Sequence, residues 1–358
     1  DNNTFKGKSF FISFNNPTTE MATTKTKTTR SRKAKRRNTG PSAEERLVNE
    51  IVQALESGVS PWRKQWVGNP ESSHRNLLTG HEYQGANVAL LEMIAAFRGY
   101  KAPLWLGAGT AKTKGWFPKK GSTGAFILRP QLCKFPVLDE NDQPVKGKDG
   151  EPQIQAFVKY KTAIIFNVEA LTGGDEASQT ALDQLVDHQT RSIPSRPLDE
   201  RLREAQITLD VYQSQLKGGL KIEGNKAFYQ AAPDRITLPE RKQFVSDEAF
   251  LSTWAHECVH STGTEGRLNR AAISKGTYHY SNETRAREEL VAELGAFLIS
   301  RRLKIKSDPQ NHTAYLGSWA KHIKEGPKAL YKVLSDATKA SNMICGPEVH
   351  DDQSNDSN

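Results

Sequence analysis

Two histidines four residues apart, His256 and His260, restrict the folds open to this 358-residue chain more than any other feature of its sequence. Ser246, a residue type that caps helix N-termini, and the two acidic residues after it predict that both histidines lie on one α-helix. Residues four apart share a helix face, so both imidazoles can reach one metal ion with Glu257 beside them. A site built this way requires a third ligand, which brings two distant segments of the chain together.

A second predicted helix, residues 282–303, offers carboxylates for that role. Glu289 and Glu293 lie four residues apart on it, beside an apolar stripe. Carboxylates at the edge of a buried stripe are expensive to desolvate unless a cation meets them. The 28 residues between His260 and Glu289 leave room for a loop and a returning helix. The sequence therefore predicts that the two helices pack around an ion.

We predict that His256, His260 and Glu289 bind one Zn²⁺ ion, although these ligands also accept other divalent metals. Glu288 is an alternative third ligand, since it is adjacent to Glu289. The opposing interpretation is that the glutamates merely solvate one side of a surface helix, as such clusters usually do. The two histidines on the preceding helix favour the metal site.

The predicted site has the parts of a zinc hydrolase, because Glu257 is placed to act as the general base. Glu293 is predicted to accept a hydrogen bond from one imidazole and so fix its orientation. The strand predicted at residues 234–239 is expected to be a sheet edge that pairs with an extended peptide. The group that stabilises an oxyanion is left open among Tyr278, His279, Tyr280 and His322.

Positive charge and aromatic rings are concentrated in the N-terminal half. From Val59 to Phe135 there are eleven Lys and Arg residues against three acidic ones, together with ten aromatic residues. Cations track a phosphate backbone and flat rings stack on unpaired bases, so this composition predicts a site for single-stranded DNA. The competing interpretation is that the tryptophans form a core and the lysines a solvated face. The predicted contributors are Trp62, Arg63, Trp66, Tyr83, Trp105, Lys119, Lys120 and Arg129.

These features predict an α+β fold with two domains, in which residues 42–172 bind DNA and residues 198–345 hold the metal. The polar segment 173–197, which contains glycines, serines and two prolines, is predicted to be a linker. Residues 1–41 are predicted to be disordered and basic, either solvated or lying along a phosphate backbone. Residues 346–358 are predicted to form a disordered acidic tail.

Composition also bears on where the protein works. No run approaches the roughly 18 apolar residues that a membrane-spanning helix requires. The three cysteines are widely spaced, so they form neither a disulfide framework nor a Cys-x-x-Cys metal knuckle. We therefore predict a cytoplasmic protein with no membrane partner.

Six segments together resemble one known family. They are PWRKQW (61–66), NLLTGHEYQGANVALL (76–91), FNVEALTGG (166–174), GNKAFYQAAPDRITLP (224–239), HECVHSTGTEGRLNR (256–270) and REELVAELGAF (287–297). In this order they resemble the ArdC-type antirestriction proteins of conjugative plasmids, whose N-terminal part also occurs at the front of the plasmid TraC primases. The resemblance covers about residues 42–340.

The resemblance implies an N-terminal single-stranded DNA-binding domain and a C-terminal zincin-like metallopeptidase domain, with a protein or peptide as substrate. It also implies a role in shielding incoming plasmid DNA from restriction enzymes. An alternative function is a zinc metalloprotease that acts on DNA-associated proteins. The family's metal ligands fall on His256, His260 and Glu289, and its DNA-binding pattern falls on Trp62, Trp66, Asn76, Tyr83, Gly85 and Asn87.

One departure from the family pattern lies inside the metal motif. The family usually has His-Glu-Leu-x-His, whereas this chain has Cys258-Val259 between Glu257 and His260. Both residues are expected on the side of the helix that faces away from the metal, so the change should leave the ligands unaffected.

Overall fold

The computed structural model describes residues 41–60, 72–139, 143–147, 149–191, 196–279, 281–307 and 316–348. Residues 1–40 and 349–358, which were predicted to be disordered, lie outside the described residues. Contacts divide the described chain into two compact units. One is made of residues 128–163 and the other of residues 41–127 and 164–348.

Helices and strands both occur in the described residues, which confirms the predicted α+β class. In chain order the helices are α1 (Ala43–Glu56), α2 (Ala86–Arg98), α3 (Ala108–Thr113), α4 (Glu176–Arg191), α5 (Leu198–Gln213), α6 (Asp247–Ser261), α7 (Ala271–Ser274), α8 (Asn282–Arg302), α9 (Leu316–Ile323) and α10 (Pro327–Cys345). The strands are β1 (Arg75–Asn76), β2 (Leu104–Gly107), β3 (Trp116–Pro118), β4 (Ala125–Pro136), β5 (Ile154–Asn167), β6 (Leu171–Gly173), β7 (Gly219–Ile222), β8 (Phe228–Gln230) and β9 (Arg235–Leu238). None of the described helices is both long and apolar enough to cross a membrane.

The strands form three small sheets. The largest has the order β1-β2-β5-β4, with β1 parallel to β2 and β2 antiparallel to β5. Strands β3 and β6 form an antiparallel pair. In the third sheet, β9 lies between a parallel β7 and an antiparallel β8. The strand predicted to be an edge, β9, is therefore central, and the prediction was wrong: the outer strands are β7 and β8.

Helix α1 begins as its sequence predicts. The Ser42 hydroxyl accepts a hydrogen bond from the Glu45 backbone N–H, and the Glu45 carboxylate accepts one from Ser42, which is a complete capping box. Its apolar face is buried. That face packs against α9, while α2 packs against α10. The N-terminal helices therefore share one compact unit with the C-terminal helices.

A helix occupies most of the segment that was predicted to be a linker. In α4, Leu182 is buried in a core with Leu77, Leu104 and Trp116, and Leu185 and Val186 pack against the same cluster. These three apolar residues of α4 lie at helical spacing on one face, and apart from two alanines the remainder of the helix is polar. A helix with so narrow an apolar stripe has the overall composition of a linker, which explains why the sequence did not indicate α4.

Helices α6 and α8 form the part of the core that positions the candidate site. Residues 249–261 of α6 are all buried, so this helix is surrounded by protein. Gly295 of α8 faces Val259 of α6, and a Cβ atom at position 295 would lie 2.7 Å from the Val259 Cγ2 atom. The absent side chain therefore allows the two helices to approach closely at the level of the two histidines.

Candidate metal centre

The three predicted ligands lie together between α6 and α8. The Nε2 atoms of His256 and His260 are 3.2 Å apart. The Oε2 atom of Glu289 lies 3.4 Å from the first and 3.7 Å from the second. All three side chains are buried. In the part of the chain that the structure describes, they are the group of His, Cys, Asp or Glu residues whose ligand atoms lie close enough to hold one metal ion.

The spacing of these three atoms suits a small divalent cation. A tetrahedral ion bound at about 2.0–2.1 Å holds its ligand atoms about 3.3 Å apart, close to the measured 3.2, 3.4 and 3.7 Å. Two imidazoles and one carboxylate are also the ligand set of many catalytic zinc sites. The residues present therefore fit such a metal without rearrangement.

The electrostatics of the ligands also favour a cation. Although burial raises the pKa of Glu289, hydrogen bonds with His256 and His260 hold that pKa well below its usual range. Burial lowers the pKa of His260, but hydrogen bonds to Glu288 and Glu289 raise it to a net value above normal. The carboxylates thus stabilise one positive charge among the ligand atoms, which a divalent metal would supply.

The neighbouring glutamates, Glu288 and Glu289, have different surroundings. The Oε1 atom of Glu288 lies 3.3 Å from the Nδ1 atom of His260, on the side of the ring opposite Nε2. Glu288 also accepts hydrogen bonds from Arg270 at 2.6 and 3.0 Å. Because Glu288 faces Nδ1 and not the cluster of Nε2 atoms, the geometry favours Glu289 over Glu288 as the third ligand.

Glu293 lies behind the other histidine. Its Oε2 atom is 4.0 Å from the Nδ1 atom of His256, and its side chain is fully buried. This distance is longer than a hydrogen bond, although the pairing of carboxylate and ring is the one predicted. The orienting role of Glu293 therefore stays a prediction.

Glu257 lies beside the ligands and is buried. Burial raises the pKa of its carboxyl above the usual value, while the nearby charges of His256 and His260 act in the opposite direction. The carboxylate also accepts a hydrogen bond from the backbone N–H of Tyr229, on β8. Strand β8 therefore approaches the candidate base, a contact that the sequence did not indicate.

Of the four residues considered for an oxyanion role, Tyr278 lies at the site. Its hydroxyl donates a hydrogen bond to Oε1 of Glu289, and its ring packs edge-on near His260. Burial and the negative charge of Glu289 both raise its pKa, so the hydroxyl remains a donor. The side chain of His279 and all of Tyr280 lie outside the described residues, and His322 pairs with Glu325.

Four of the predicted DNA-contacting residues are either outside the described part of the chain or buried. Trp62, Arg63 and Trp66 lie outside the described residues. Trp105 is fully buried and its indole N–H donates to Nδ1 of His74, so it cannot stack on a base and the prediction was wrong. The prediction relied on composition, which counts aromatic residues without distinguishing those in the core from those on the surface.

The remaining DNA candidates have mixed exposure. Asn76 is buried, and its side-chain oxygen accepts hydrogen bonds from the backbone of residues 78 and 79, which gives it a role in a turn. Tyr83 and Asn87 are half-buried. Lys119 and Lys120 are exposed in the turn after β3, and Arg129 is exposed on β4.

Two family models match the chain. The N-terminal domain of the anti-restriction factor ArdC matches residues 41–166, and a zincin-like metallopeptidase matches residues 209–336. A DNA primase TraC of Escherichia coli is 29% identical over 315 residues, which cover 84% of this chain and 27% of that primase. A second TraC primase of the same species is 27% identical over 304 residues, and the chain spans 19% of its length.

Two further relatives resemble the chain over most of their own length. An uncharacterised protein of Sinorhizobium fredii, y4eC, is 23% identical over 304 residues, covering 84% of this chain and 90% of that protein. The metal-free crystal structure of the antirestriction protein ArdC from plasmid R388 superposes with a TM-score of 0.56 at 23% identity, covering 84% of this chain and 96% of that chain. Its Mn(II)-bound form superposes with the same TM-score at 22% identity.

The order of the two matched domains agrees with the resemblance predicted from the sequence motifs. The chain is an ArdC-type protein, in which an ArdC N-terminal domain precedes a zincin-like metallopeptidase domain.

Proposed function

We propose that this protein is an antirestriction protein of a mobile element that binds single-stranded DNA and carries a zinc centre of the metallopeptidase type. The observation that carries the second half of the proposal is the buried cluster of His256, His260 and Glu289, whose ligand atoms lie 3.2–3.7 Å apart. Glu257 lies next to this cluster. The R388 ArdC protein, of the same fold, has been crystallised with Mn(II), so a metal other than zinc is a direct alternative.

The proposed chemistry is hydrolysis of an amide bond. A bound zinc ion would polarise the substrate carbonyl and make water more acidic. Glu257 accepts the proton of the attacking water and delivers it to the nitrogen of the leaving amine. Its burial and raised pKa suit the first step, because a carboxyl that holds a proton more tightly is the better base. Tyr278 holds one oxygen of Glu289, which leaves the other facing the histidines.

One of the two outer strands of the third sheet, β8, supports a peptide as the substrate. Strand β8 pairs with β9 on one side and packs against α6, the helix that carries Glu257. An extended peptide can add to such a strand through main-chain hydrogen bonds. We therefore assign to β8 the pairing with an extended peptide that the sequence analysis expected of β9.

Strands β4 and β5, which lie mostly in the smaller unit, support DNA binding. Residues 125–136 and 154–167, the sequences of β4 and β5, contain four Lys and Arg residues and no acidic residue. Phe135 and Tyr160 are 51% and 43% exposed, which is unusual for aromatic rings. Exposed cations beside exposed rings can hold a phosphate backbone and stack on its bases. Among the side chains that the structure describes on these strands, Arg129, Lys134 and Lys161 are exposed cations.

A single substitution separates this proposal from its main alternative, a protease that DNA binding delivers to proteins on DNA. Glu257→Gln removes the general base but keeps the size of the side chain. If protection of unmodified DNA from restriction survives the substitution, DNA binding is sufficient for protection. If protection is lost while DNA affinity is unchanged, proteolysis is required.

A third candidate is a metal with a purely structural role. Elemental analysis of the purified protein beside His256→Ala tests the site itself, with about one metal per chain expected only in the wild type. Unfolding of the C-terminal domain when the metal is removed, together with no hydrolysis of any peptide tested, would favour the structural role.

A further inference from the structure

We propose that Arg270 is a positioning residue, which acts through Glu288 to hold the imidazole of His260 in the orientation and tautomer that a metal requires. The inference rests on the proposed function, since it takes His260 to be a ligand. Arg270 belongs to the loop between α6 and α7 and is not one of the predicted ligands, so its effect on the metal site would be exerted through Glu288.

The two nitrogens of His260 face different partners. Nε2 points towards His256 and Glu289, whereas Nδ1 lies 3.3 Å from Oε1 of Glu288. A proton on Nδ1 that is donated to Glu288 leaves the lone pair of Nε2 available for a metal. Glu288 therefore selects the tautomer in which His260 can act as a ligand, and it restricts rotation of the ring.

Glu288 is itself held by Arg270. The Arg270 guanidinium donates through Nη2 to Oε1 at 2.6 Å and through Nε to Oε2 at 3.0 Å, in the fork geometry of a bidentate pair. Its other hydrogen bonds go to the Thr262 hydroxyl at 2.7 Å and the Val259 carbonyl at 2.8 Å. Both charged side chains are at least 95% buried. The guanidinium thus has partners on both helices, and the carboxylate has little freedom to move.

This pairing also explains why two adjacent glutamates take different roles. The charge of Glu288 is neutralised by Arg270, whereas Glu289 faces the histidines and retains its charge for a cation. A buried ion pair is a poor source of stability, because the desolvation of both charges offsets their attraction. Its position directly behind a ligand therefore indicates a role in orienting His260.

The test compares two double variants that remove the buried charges together. In Arg270→Met with Glu288→Gln, the amide oxygen at position 288 still accepts from Nδ1 of His260. In Arg270→Met with Glu288→Leu, that acceptor is absent. The dissociation constant for Zn²⁺ is measured by competition with a chromophoric chelator, and the visible spectrum of the Co²⁺-loaded protein reports the ligand geometry. We expect the Gln variant, whose acceptor is no longer held by Arg270, to bind Zn²⁺ more weakly than wild type, and the Leu variant, which also lacks the acceptor, to bind it more weakly still, about 10–100-fold below wild type. Wild-type affinity in the Gln variant would overturn the role of Arg270.

Two controls accompany these variants. Arg287→Met with Asp336→Asn removes another ion pair of α8, 2.6 Å long and far less buried, and should leave the Zn²⁺ affinity unchanged. His256→Ala tests the proposed function separately. Unchanged Zn²⁺ binding by His256→Ala would refute the metal site itself, whereas lost binding there with wild-type binding by the Leu variant would refute only the positioning role.

Equal weakening in the Gln and Leu variants also overturns the proposal, because the acceptor at position 288 would then be irrelevant. If the Leu variant fails to fold, Arg270→Lys provides the test, because lysine keeps the positive charge but cannot form the two parallel hydrogen bonds to the carboxylate. Weaker Zn²⁺ binding by Arg270→Lys at an unchanged melting temperature supports the positioning role, and wild-type binding overturns it.

Discussion

Substitution of Gly295 by alanine tests how closely α6 and α8 must approach for the metal centre to form. In most helices this change is stabilising by roughly 0.5–1 kcal/mol, because glycine loses more conformational freedom on folding. Here the added Cβ would lie 2.7 and 3.0 Å from the two methyl groups of Val259. Val259 is fully buried and β-branched, so it cannot turn away.

The size of the effect follows from these distances. Carbon atoms in contact prefer a separation of about 3.5–4.0 Å, so the helices must separate by up to roughly 1 Å. Overpacking of this kind typically costs about 1–3 kcal/mol, which outweighs the gain in helix propensity. Metal–ligand distances tolerate only about 0.2 Å, so the shift of Glu289 away from the histidines should weaken Zn²⁺ binding by about tenfold or more.

The assay combines urea denaturation of the metal-free protein with a Zn²⁺ competition titration. Gly317→Ala is the matched control, because it lies in α9 and a Cβ there has no neighbour within 4 Å. The control should gain stability and keep its metal affinity. Adding Val259→Ala to Gly295→Ala removes the two clashing methyl groups and should restore metal affinity, even though it creates a small cavity.

The reasoning is refuted if Gly295→Ala is more stable than wild type and binds Zn²⁺ with unchanged affinity. It is also refuted if Val259→Ala fails to improve the metal affinity of Gly295→Ala, since the clash would then not be the cause of the loss.

Three further predictions concern other parts of the molecule. Phe135→Ala or Tyr160→Ala should weaken binding of single-stranded DNA by about tenfold in a fluorescence anisotropy titration, because one stacked base contributes about 1–3 kcal/mol; unchanged affinity would exclude stacking at that ring. Chelation of the metal should lower the melting temperature, since a ligand at 100 times its Kd stabilises by about 2.7 kcal/mol, yet the far-ultraviolet circular dichroism at 25 °C should persist because α6 and α8 share an apolar core. Burial raises the pKa of Asp234, but hydrogen bonds from Arg267 and other donors outweigh it and leave the pKa below normal. The stabilisation contributed by ionised Asp234 is fully present above about pH 4 and is lost as the pH falls through the folded-state pKa. Asp234→Asn should therefore destabilise the protein most at pH 7, and progressively less as the pH is lowered below about 4, in urea denaturation.

Local sequence was sufficient to predict the elements that carry the ligands. Ser246 caps α6 and α8 begins at Asn282, as the sequence predicts, and the four-residue spacing places His256 and His260 on one face. These features depend on contacts within a few residues, so they can be read without knowing the remainder of the fold. The spacing of the glutamates likewise showed that α8 offers carboxylates to α6.

Which carboxylate faces which atom was decided only by tertiary structure. Glu288 and Glu289 are indistinguishable as ligands in the sequence, and their roles differ because Arg270 arrives from a separate loop and pairs with one of them. The same is true of the sheet, since β9 becomes central only when β7 and β8 pair on its two sides. Such pairings depend on residues distant in the chain, and local periodicity contains no information about them.

Burial separates the remaining successes and failures. An aromatic side chain such as Trp105 has the same composition signal whether it stacks on a base or fills a core, and the fold buries it. The polar segment containing Leu182 looks like a linker until the core provides a surface that one narrow apolar stripe can cover. The sequence by itself determined which face of each helix is apolar and which is polar. The tertiary structure decided which of those faces are buried, because burial is a property of the assembled chain.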